Sequence, residues 1–250
     1  MTGVLQTNTI YLIGIGGIGM SALARYFRKQ GKEVSGYDRN PGPLTWQLEA
    51  EGIPVHYTDN PAYIPCDPGL VIYTPAIPDD NKELRYCREV GMHIRKRAEV
   101  LGMIASEYRC IAVGGTHRKT SISSMIAHIF KHSNIPVTAL IGGVMSNYGT
   151  NMLIDKQSTY LVAEADEYDR SFLQLHPKIA LITTIDADHL DIYGDTDQFE
   201  NTFHEFAGQI TDGGCLIHNQ SVKPPDLPGR SVYSYSLQNA ECDFYAKDIY

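Results

Sequence analysis

Short runs of β-branched residues alternate with longer amphipathic stretches along this chain. The strand-like runs of the first half cover residues 9–13, 33–37 and 70–73, and the helical stretches cover residues 19–30, 44–51 and 81–90. Glycine at positions 31, 52 and 91 stands where each of those helices should end. This alternation predicts an α/β fold with mainly parallel sheets.

The alternation pauses at a short helical stretch, residues 98–105, and restarts at Cys110. We therefore expect a domain boundary near Ser106, with one domain in residues 1–106 and a second in residues 107–250. In the second domain the strand-like runs are 110–113, 136–141, 160–163 and 179–184, and the helix is 120–132. The pattern stops at Tyr250 without a terminating signal, so we expect the second domain to be incomplete.

Acidic residues outnumber basic ones, 29 to 21, which gives a net charge of −8. Nucleic-acid binding needs clustered Lys and Arg, so this charge argues against a nucleic-acid partner. The one basic run, residues 93–97, could contact a phosphate, but we interpret it as a solvated charge run. No apolar run approaches the roughly 20 residues that a bilayer requires, and no signal peptide is evident. We expect a cytoplasmic protein with no membrane insertion; the sequence leaves its oligomeric state open.

The first glycine-rich segment, residues 14–19, follows a strand and opens a helix. Its GIGGIG spacing matches the G-x-G-x-x-G fingerprint of Rossmann-like domains, in which the backbone turns tightly against a pyrophosphate at a helix N-terminus. Asp38, at the end of the second strand, is expected either to contact a ribose or base or to cap a turn. By itself the segment suggests a nicotinamide dehydrogenase, and a tight turn without a ligand is the alternative.

The second glycine-rich segment, residues 114–121 (GGTHRKTS), lies between a strand and a helix, as a phosphate-binding loop does. Lys119 could reach the β- and γ-phosphates of a nucleotide, and the neighbouring Thr120 hydroxyl could reach Mg²⁺. The strict P-loop spacing fails, because Val113 and Arg118 occupy the two glycine positions. A threonine-rich helix cap is the alternative.

Two later apolar runs end in clusters of acidic and imidazole side chains, at residues 160–169 and 182–191. Parallel strands present such ends at one edge of the sheet, and oxygen ligands suit Mg²⁺. The two clusters favour a metal–nucleotide site beside the second glycine-rich segment. Between the segments, residues 142–151 combine glycine with short polar side chains, which suits either a sugar-binding loop or an ordinary surface turn.

Five segments in order, GIGGIGMSALA, GGTHRKTS, GGVMSNYGTN, AEADEYDRSFLQL and TTIDADHLDIYGD, resemble the Mur ligases of peptidoglycan synthesis. The resemblance implies ATP-driven amide formation with Mg²⁺. The carboxylate of UDP-N-acetylmuramate would take the γ-phosphoryl group of ATP, and the amine of L-alanine would displace phosphate from the acyl phosphate. A relative that adds a recycled tripeptide to the same sugar nucleotide is one alternative, and a UDP-sugar-binding fragment without activity is another.

The same resemblance implies roles for individual residues. The implied catalytic residues are Lys119, Glu164 and His189, and the implied metal ligands are Thr120, Glu164 and His189. The implied ATP-binding residues are Gly115, Thr116, His117, Arg118, Lys119, Thr120 and Ser121. The implied substrate-binding residues are Gly16, Gly17, Gly19, Met20, Ser21, Asp38, Asn147, Thr150 and Asn151.

The chain departs from the family pattern in two ways. Arg118 stands where the family carries glycine, so we expect it either to crowd the path of the phosphates or to demand an unfavourable backbone angle, and to weaken nucleotide binding. The family also has a C-terminal domain that helps to bind the amino acid, and that domain is absent from this sequence. We therefore expect a Rossmann-like UDP-sugar-binding domain followed by a truncated P-loop-type ATP-binding domain, with impaired or incomplete activity.

Overall fold

The computed structural model describes residues 3–186 and 196–248. The chain forms two compact units. The first comprises Met1–Glu107 and Leu140–Ile154, and the second comprises Tyr108–Ala139 and Asp155–Tyr250. Parallel strand pairs build the sheets of both units, so the α/β prediction is confirmed.

The first unit contains a five-stranded parallel sheet of order β3-β2-β1-β4-β5. Its strands are β1 (Thr9–Ile13), β2 (Glu33–Tyr37), β3 (Val55–His56), β4 (Leu70–Tyr73) and β5 (Ile94–Lys96). Its helices are α1 (Ile18–Lys29), α2 (Pro43–Ala50), α3 (Lys82–Glu89) and α4 (Arg97–Ala105), with 3-10 helices at Gly3–Gln6 and Pro61–Tyr63. The central strand β1 is the most buried, because its neighbours cover both edges.

The helix ends of the first unit follow from local sequence. Gly31, Gly52 and Gly91 follow α1, α2 and α3 with φ angles of +81°, +78° and +73°, which glycine adopts without the cost that a Cβ would add. At the other end of α3, the Asn81 side chain accepts a hydrogen bond from the Leu84 amide at 2.8 Å. The predicted helices therefore agree with the observed ones to within one residue at each end.

The later elements are α5 (Lys119–His132) and α6 (Thr196–Gly208), with a 3-10 helix at Tyr168–Gln174. The strands are β6 (Arg109–Gly114), β7 (Thr138–Met145), β8 (Thr150–Leu153), β9 (Tyr160–Glu164), β10 (Ile179–Ile182), β11 (Cys215–Asn219), β12 (Ser231–Ser236) and β13 (Phe244–Tyr245). The strands of the second unit are arranged in the order β13-β12-β11-β10-β6-β9. Thus β6, the strand that leads into the second glycine-rich segment, lies in the middle of the sheet between β9 and β10.

An aromatic cluster supports this sheet. Phe172 stacks on Phe206 with ring centroids 4.9 Å apart, and its edge meets Phe203 at 5.1 Å. All three rings are buried. The cluster also reaches the end of β6, because a Cβ at Gly114 would lie 3.2 Å from the Phe206 ring. The start of the second glycine-rich segment is therefore packed directly on the core of its unit.

Residues 140–154 group with the first unit, whereas the sequence analysis placed everything after residue 106 in one later domain. Strand β8 packs on α1. The Asn151 side chain lies at the centre of this contact and is fully buried.

No helix in the described ranges 3–186 and 196–248 has the length and apolar character needed to cross a membrane.

Candidate functional site

The first glycine-rich loop connects β1 to α1 and is closed by backbone hydrogen bonds. The amides of Gly14 and Ile15 donate to the Tyr37 carbonyl at 2.7 and 2.9 Å. The Gly16 amide donates to Asp38 Oδ2 at 2.7 Å. Asp38 therefore fixes the shape of the loop, which is the turn-capping alternative that the sequence offered.

Close packing leaves little room for a Cβ at two positions of this loop. A Cβ at Gly16 would lie 2.7 Å from both Asp38 Oδ2 and Thr45 Cγ2. A Cβ at Gly19 would lie 2.8 Å from Arg97 Nη1. The interpretation of residues 93–97 as a solvated run was wrong for Arg97, because this side chain is half-buried and lies against the loop.

The next two predicted substrate-binding residues lie inside the fold. Met20 and Ser21 are buried in the first turn of α1, and the Ser21 hydroxyl donates to the Ile18 carbonyl at 2.9 Å. Gly17 is the N-cap of α1, so its backbone begins the helix. The main-chain groups of this turn, rather than the Met20 and Ser21 side chains, are thus the part of the loop that can face a phosphate.

The polar residues of the 142–151 segment divide into two kinds. Asn151 is fully buried: its amide nitrogen donates to Ile18 O at 2.7 Å and to Ser21 Oγ at 3.0 Å, and its Oδ1 accepts from Arg25 at 2.5 Å. Asn147 is exposed and Thr150 is half-buried. Asn151 holds β8 on α1, whereas Asn147 and Thr150 remain accessible to a ligand.

The second glycine-rich loop connects β6 to α5 at the carboxyl edge of its sheet. Gly115 has a φ of +125°, and a Cβ there would lie 2.1 Å from Thr183 Oγ1. The Thr183 hydroxyl donates to the His117 carbonyl at 2.6 Å, and the Thr116 amide donates to the Thr184 carbonyl at 2.9 Å. The two threonines that follow β10 therefore shape the loop, a role that the sequence analysis missed.

Lys119 begins α5, and its ammonium group points back across the loop. Nζ donates to the Gly115 carbonyl at 2.7 Å and to the two carboxylate oxygens of Glu167 at 2.9 and 2.7 Å. Glu167 is almost completely buried. The sequence predicted both residues at this edge of the sheet but did not predict their contact.

Hydroxyl and carboxylate oxygens meet beside Lys119. Thr120 Oγ1 lies 3.2 Å from Glu164 Oε2, and Ser123 Oγ lies 3.2 Å from Glu164 Oε1. Within the described part of the chain, no group of three His, Cys, Asp or Glu side chains is arranged to hold a metal. A hydroxyl beside one carboxylate still fits Mg²⁺, which takes few protein ligands and keeps several waters.

The remaining predicted residues of this loop lie at its surface. His117, Arg118, Thr120 and Ser121 are exposed, and His117 Nε2 lies 3.5 Å from Asp186 Oδ2. His189, predicted as a catalytic residue and a metal ligand, lies outside the described residues. The first turn of α5 supplies amide groups without intrahelical partners, as a phosphate-binding loop requires.

Arg118 is the N-cap of α5 and has φ = +67° and ψ = +9°. This is the left-handed region, which glycine enters freely and which costs a residue with a Cβ roughly 1 kcal/mol. The expectation of an unfavourable backbone angle at this position is confirmed. The backbone keeps the shape that a glycine would give it, with an arginine side chain added at the mouth of the loop.

Comparison with known proteins connects the two loops. The description "Mur ligase family, catalytic domain" matches residues 9–109, and "Mur ligase middle domain" matches residues 113–250. The chain belongs to the Mur ligase family. This membership accounts for both loops, whereas the nicotinamide dehydrogenase suggested by the first loop accounts for only one.

Several relatives within the Mur ligase family are closely similar. The chain is 46% identical to the UDP-N-acetylmuramate–L-alanine ligase of Cytophaga hutchinsonii over 97% of its own length and 54% of that protein. It is 52% identical to the ligase of the same name from Flavobacterium psychrophilum, over 85% of this chain and 48% of that one. The chain thus spans about half the length of the curated relatives that it matches.

Solved Mur ligase structures share the fold. UDP-N-acetylmuramate-alanine ligase MurC from Thermotoga maritima superimposes with a TM-score of 0.80 at 26% identity, covering 92% of this chain and 53% of that one. A Neisseria meningitides ligase whose name specifies UDP-N-acetylmuramate and L-alanyl-gamma-D-glutamyl-meso-diaminopimelate superimposes with a TM-score of 0.82, also at 26% identity, covering 92% and 78%. The fold alone therefore does not separate these two kinds of Mur ligase.

Proposed function

We propose that this chain contains the sugar-nucleotide-binding and ATP-binding parts of a Mur ligase that joins L-alanine to UDP-N-acetylmuramate. The observation that carries the proposal is the convergence of Lys119, Thr120 and Glu164 at one edge of the second sheet, in a chain 44–52% identical to ligases of that name. The alanine-adding reaction is preferred over tripeptide recycling because of that identity. Localisation in the cytoplasm is part of the proposal.

In the proposed reaction, a carboxylate oxygen of UDP-N-acetylmuramate attacks the γ-phosphorus of ATP, and ADP leaves. The amine of L-alanine then attacks the acyl carbon and loses a proton to water, the C–O bond to the phosphate breaks, and inorganic phosphate leaves with the bond's electron pair. Lys119 would hold the β- and γ-phosphates, and Thr120 and Glu164, with His189, would hold Mg²⁺. When bound, Mg²⁺ would neutralise charge on the transferred phosphoryl group.

The first loop would hold the UDP end. The amides at Gly17 and Gly19 begin α1, where a diphosphate is favoured by the helix dipole. Arg97 adds a guanidinium group beside Gly19 and could pair with a phosphate oxygen. Asn147 and Thr150 are the accessible polar side chains for the muramyl group, and Asp38 could accept from the nucleoside while it holds Gly16.

Two variants should show that ATP and UDP-N-acetylmuramate bind at different loops. Lys119→Met is expected to weaken ATP binding at least tenfold, because it removes the phosphate-binding ammonium group, and to leave UDP-N-acetylmuramate binding unchanged. Gly16→Ala should do the reverse, because its Cβ would meet Asp38 and Thr45 at 2.7 Å. Isothermal titration with each ligand, with NADH as the dehydrogenase control, measures both effects. Tight NADH binding, or one variant that abolishes both ligands, would contradict the proposal.

Arg118→Gly is expected to bind ATP more tightly than the parent chain, by about threefold, because a cationic arm and a Cβ leave the path of the phosphates. The same change should raise the free energy of unfolding by about 0.5 kcal/mol. The strain energy that glycine removes from the folded state is larger than the conformational entropy that it adds to the unfolded chain. Arg118→Ala is the control, because it keeps the Cβ. Equal ATP affinities of the parent chain and the glycine variant would contradict the prediction.

Catalysis is tested by phosphate release. ATP, Mg²⁺, UDP-N-acetylmuramate and either L-alanine or the recycled tripeptide are added to the chain, and phosphate is measured. Release that depends on L-alanine supports the proposed reaction, and release that depends on the tripeptide supports the recycling alternative. Binding of UDP-N-acetylmuramate without release in either case supports a sugar-nucleotide-binding fragment.

A further inference from the structure

All three N–H groups of the Lys119 ammonium are engaged in hydrogen bonds. A lysine has three N–H donors, and Nζ makes three contacts of 2.7, 2.9 and 2.7 Å with the Gly115 carbonyl and the two oxygens of Glu167. Both side chains are largely shielded, with relative exposures of 17% for Lys119 and 3% for Glu167. An approaching phosphate oxygen could bond to Lys119 only if one of these contacts were given up.

The position of Glu167 is set by the backbone around it. Glu167 precedes the 3-10 helix Tyr168–Gln174, and its carbonyl accepts from the Arg170 amide at 3.0 Å. The amide of Phe172 donates to the Asp166 carbonyl at 2.9 Å, and the Phe172 ring lies in the aromatic core. The main chain that carries Glu167 is therefore anchored to the core of its unit, and the carboxylate lies against Lys119.

We propose that Glu167 is a latch on Lys119: it occupies the lysine in the nucleotide-free protein, and a phosphate oxygen of the nucleotide must replace it. This inference rests on the proposed ATP site. A carboxylate presents two anionic oxygens in the way that a phosphate does, so it stabilises an empty loop that otherwise carries a partly buried positive charge. The apparent affinity for nucleotide is then reduced by the fraction of molecules in which the lysine is free.

Glu167→Gln tests the latch. Glutamine keeps the shape of the side chain and one acceptor but removes the charge, so Lys119 is released more easily. We expect the variant to bind ATP and inorganic tripolyphosphate about tenfold more tightly than the parent chain, and adenosine no differently. Isothermal titration at fixed ionic strength measures all three ligands. Because tripolyphosphate has no base, it reports on the phosphate contacts alone.

Asp166→Asn is the matched control, because it removes one negative charge from the same segment; the Asp166 carboxylate accepts from the Tyr168 amide. Its affinities should stay within about twofold of the parent values. Glu167→Asp, which keeps the charge on a shorter side chain, should tighten binding by about threefold and serves if the glutamine variant does not fold. Far-ultraviolet circular dichroism and thermal unfolding show whether each variant is folded, because Asp166 and Glu167 lie in the second unit.

The outcomes separate the latch from the proposed function. Equal or weaker tripolyphosphate binding in Glu167→Gln, with binding to the parent chain intact, overturns the latch and leaves the ATP site in place. An equal gain in Asp166→Asn also overturns the latch, because general charge removal then explains the effect. If neither parent nor variant binds ATP or tripolyphosphate, the proposed ATP site itself is wrong and the latch is rejected with it.

Discussion

Replacing Asn151 by leucine is expected to lower the free energy of unfolding by about 3 kcal/mol. The substitution keeps the approximate volume but removes one of the hydrogen bonds to the Ile18 carbonyl, which keeps the bond from Ser21, and leaves one arm of Arg25 without its partner in a buried site. Arg25 keeps its bonds to Glu51 and Gln47, which limits the loss. Urea unfolding followed by fluorescence of Trp46, the chain's one tryptophan, reports on the first unit.

Asn151→Asp is the matched control for this prediction. It keeps the oxygen that accepts from Arg25 and gives it a charge, but it loses both donated hydrogen bonds. We expect a loss of about 1 kcal/mol, smaller than that of the leucine variant. A leucine variant as stable as the parent would mean that the contact between β8 and α1 depends on other residues.

Glu83 is expected to make the first unit less stable as the pH rises from about 4.5 to about 7. This glutamate is fully buried, and burial raises its pKa to about 7 even though Tyr11 Oη and the Asn60 amide donate to it at 2.5 and 3.1 Å. Between the two pH values the folded chain keeps a proton that the unfolded chain loses. Stability therefore falls across this window, by on the order of 3 kcal/mol.

The groups around Glu83 contribute to the same pH profile. His56 Nε2 lies 3.6 Å from the carboxylate, and burial lowers the pKa of this histidine, which makes stability rise with pH up to about 6.5. Asp59 accepts from the Glu83 amide, and burial raises the pKa of the Cys87 thiol to about 11. Glu83→Gln isolates the glutamate, because it removes that titration and leaves the others.

Thermal or urea unfolding of the parent and Glu83→Gln chains from pH 4.5 to 8 measures the effect. The glutamine variant should match the parent near pH 4.5 and should be more stable by up to about 3 kcal/mol at pH 8. Glu89→Gln, which removes an exposed carboxylate from α3, is the control. Parallel pH profiles for the parent and Glu83→Gln would show that Glu83 titrates normally.

Local sequence was sufficient where a structure depends on neighbours in the chain. The β-branched runs gave β1 and β2 their observed bounds, and the glycines at 31, 52 and 91 ended their helices. In each case the physical cause, a period of hydrophobic residues or a missing Cβ, lies within a few residues of the effect.

Contacts between distant segments could not be predicted in this way. Asn151 and Arg25 are separated by 126 positions, and no periodicity links them. Thr183 shapes a loop 66 residues earlier, and Glu167 meets Lys119 across 48 residues. The sequence placed acidic side chains at the correct sheet edge because strand direction fixes that edge, but the particular pairings depend on side-chain packing. The substrate roles of the individual residues remain predictions.

The assignment of residues 140–154 to the first unit limits how this chain can be divided into recombinant fragments. The polypeptide passes from one unit to the other at three places rather than at a single junction. A recombinant fragment ending at residue 107 would lack the asparagine that satisfies Arg25 and Ser21. Exchange of N-terminal halves between related ligases would succeed only if residues 140–154 were transferred along with them.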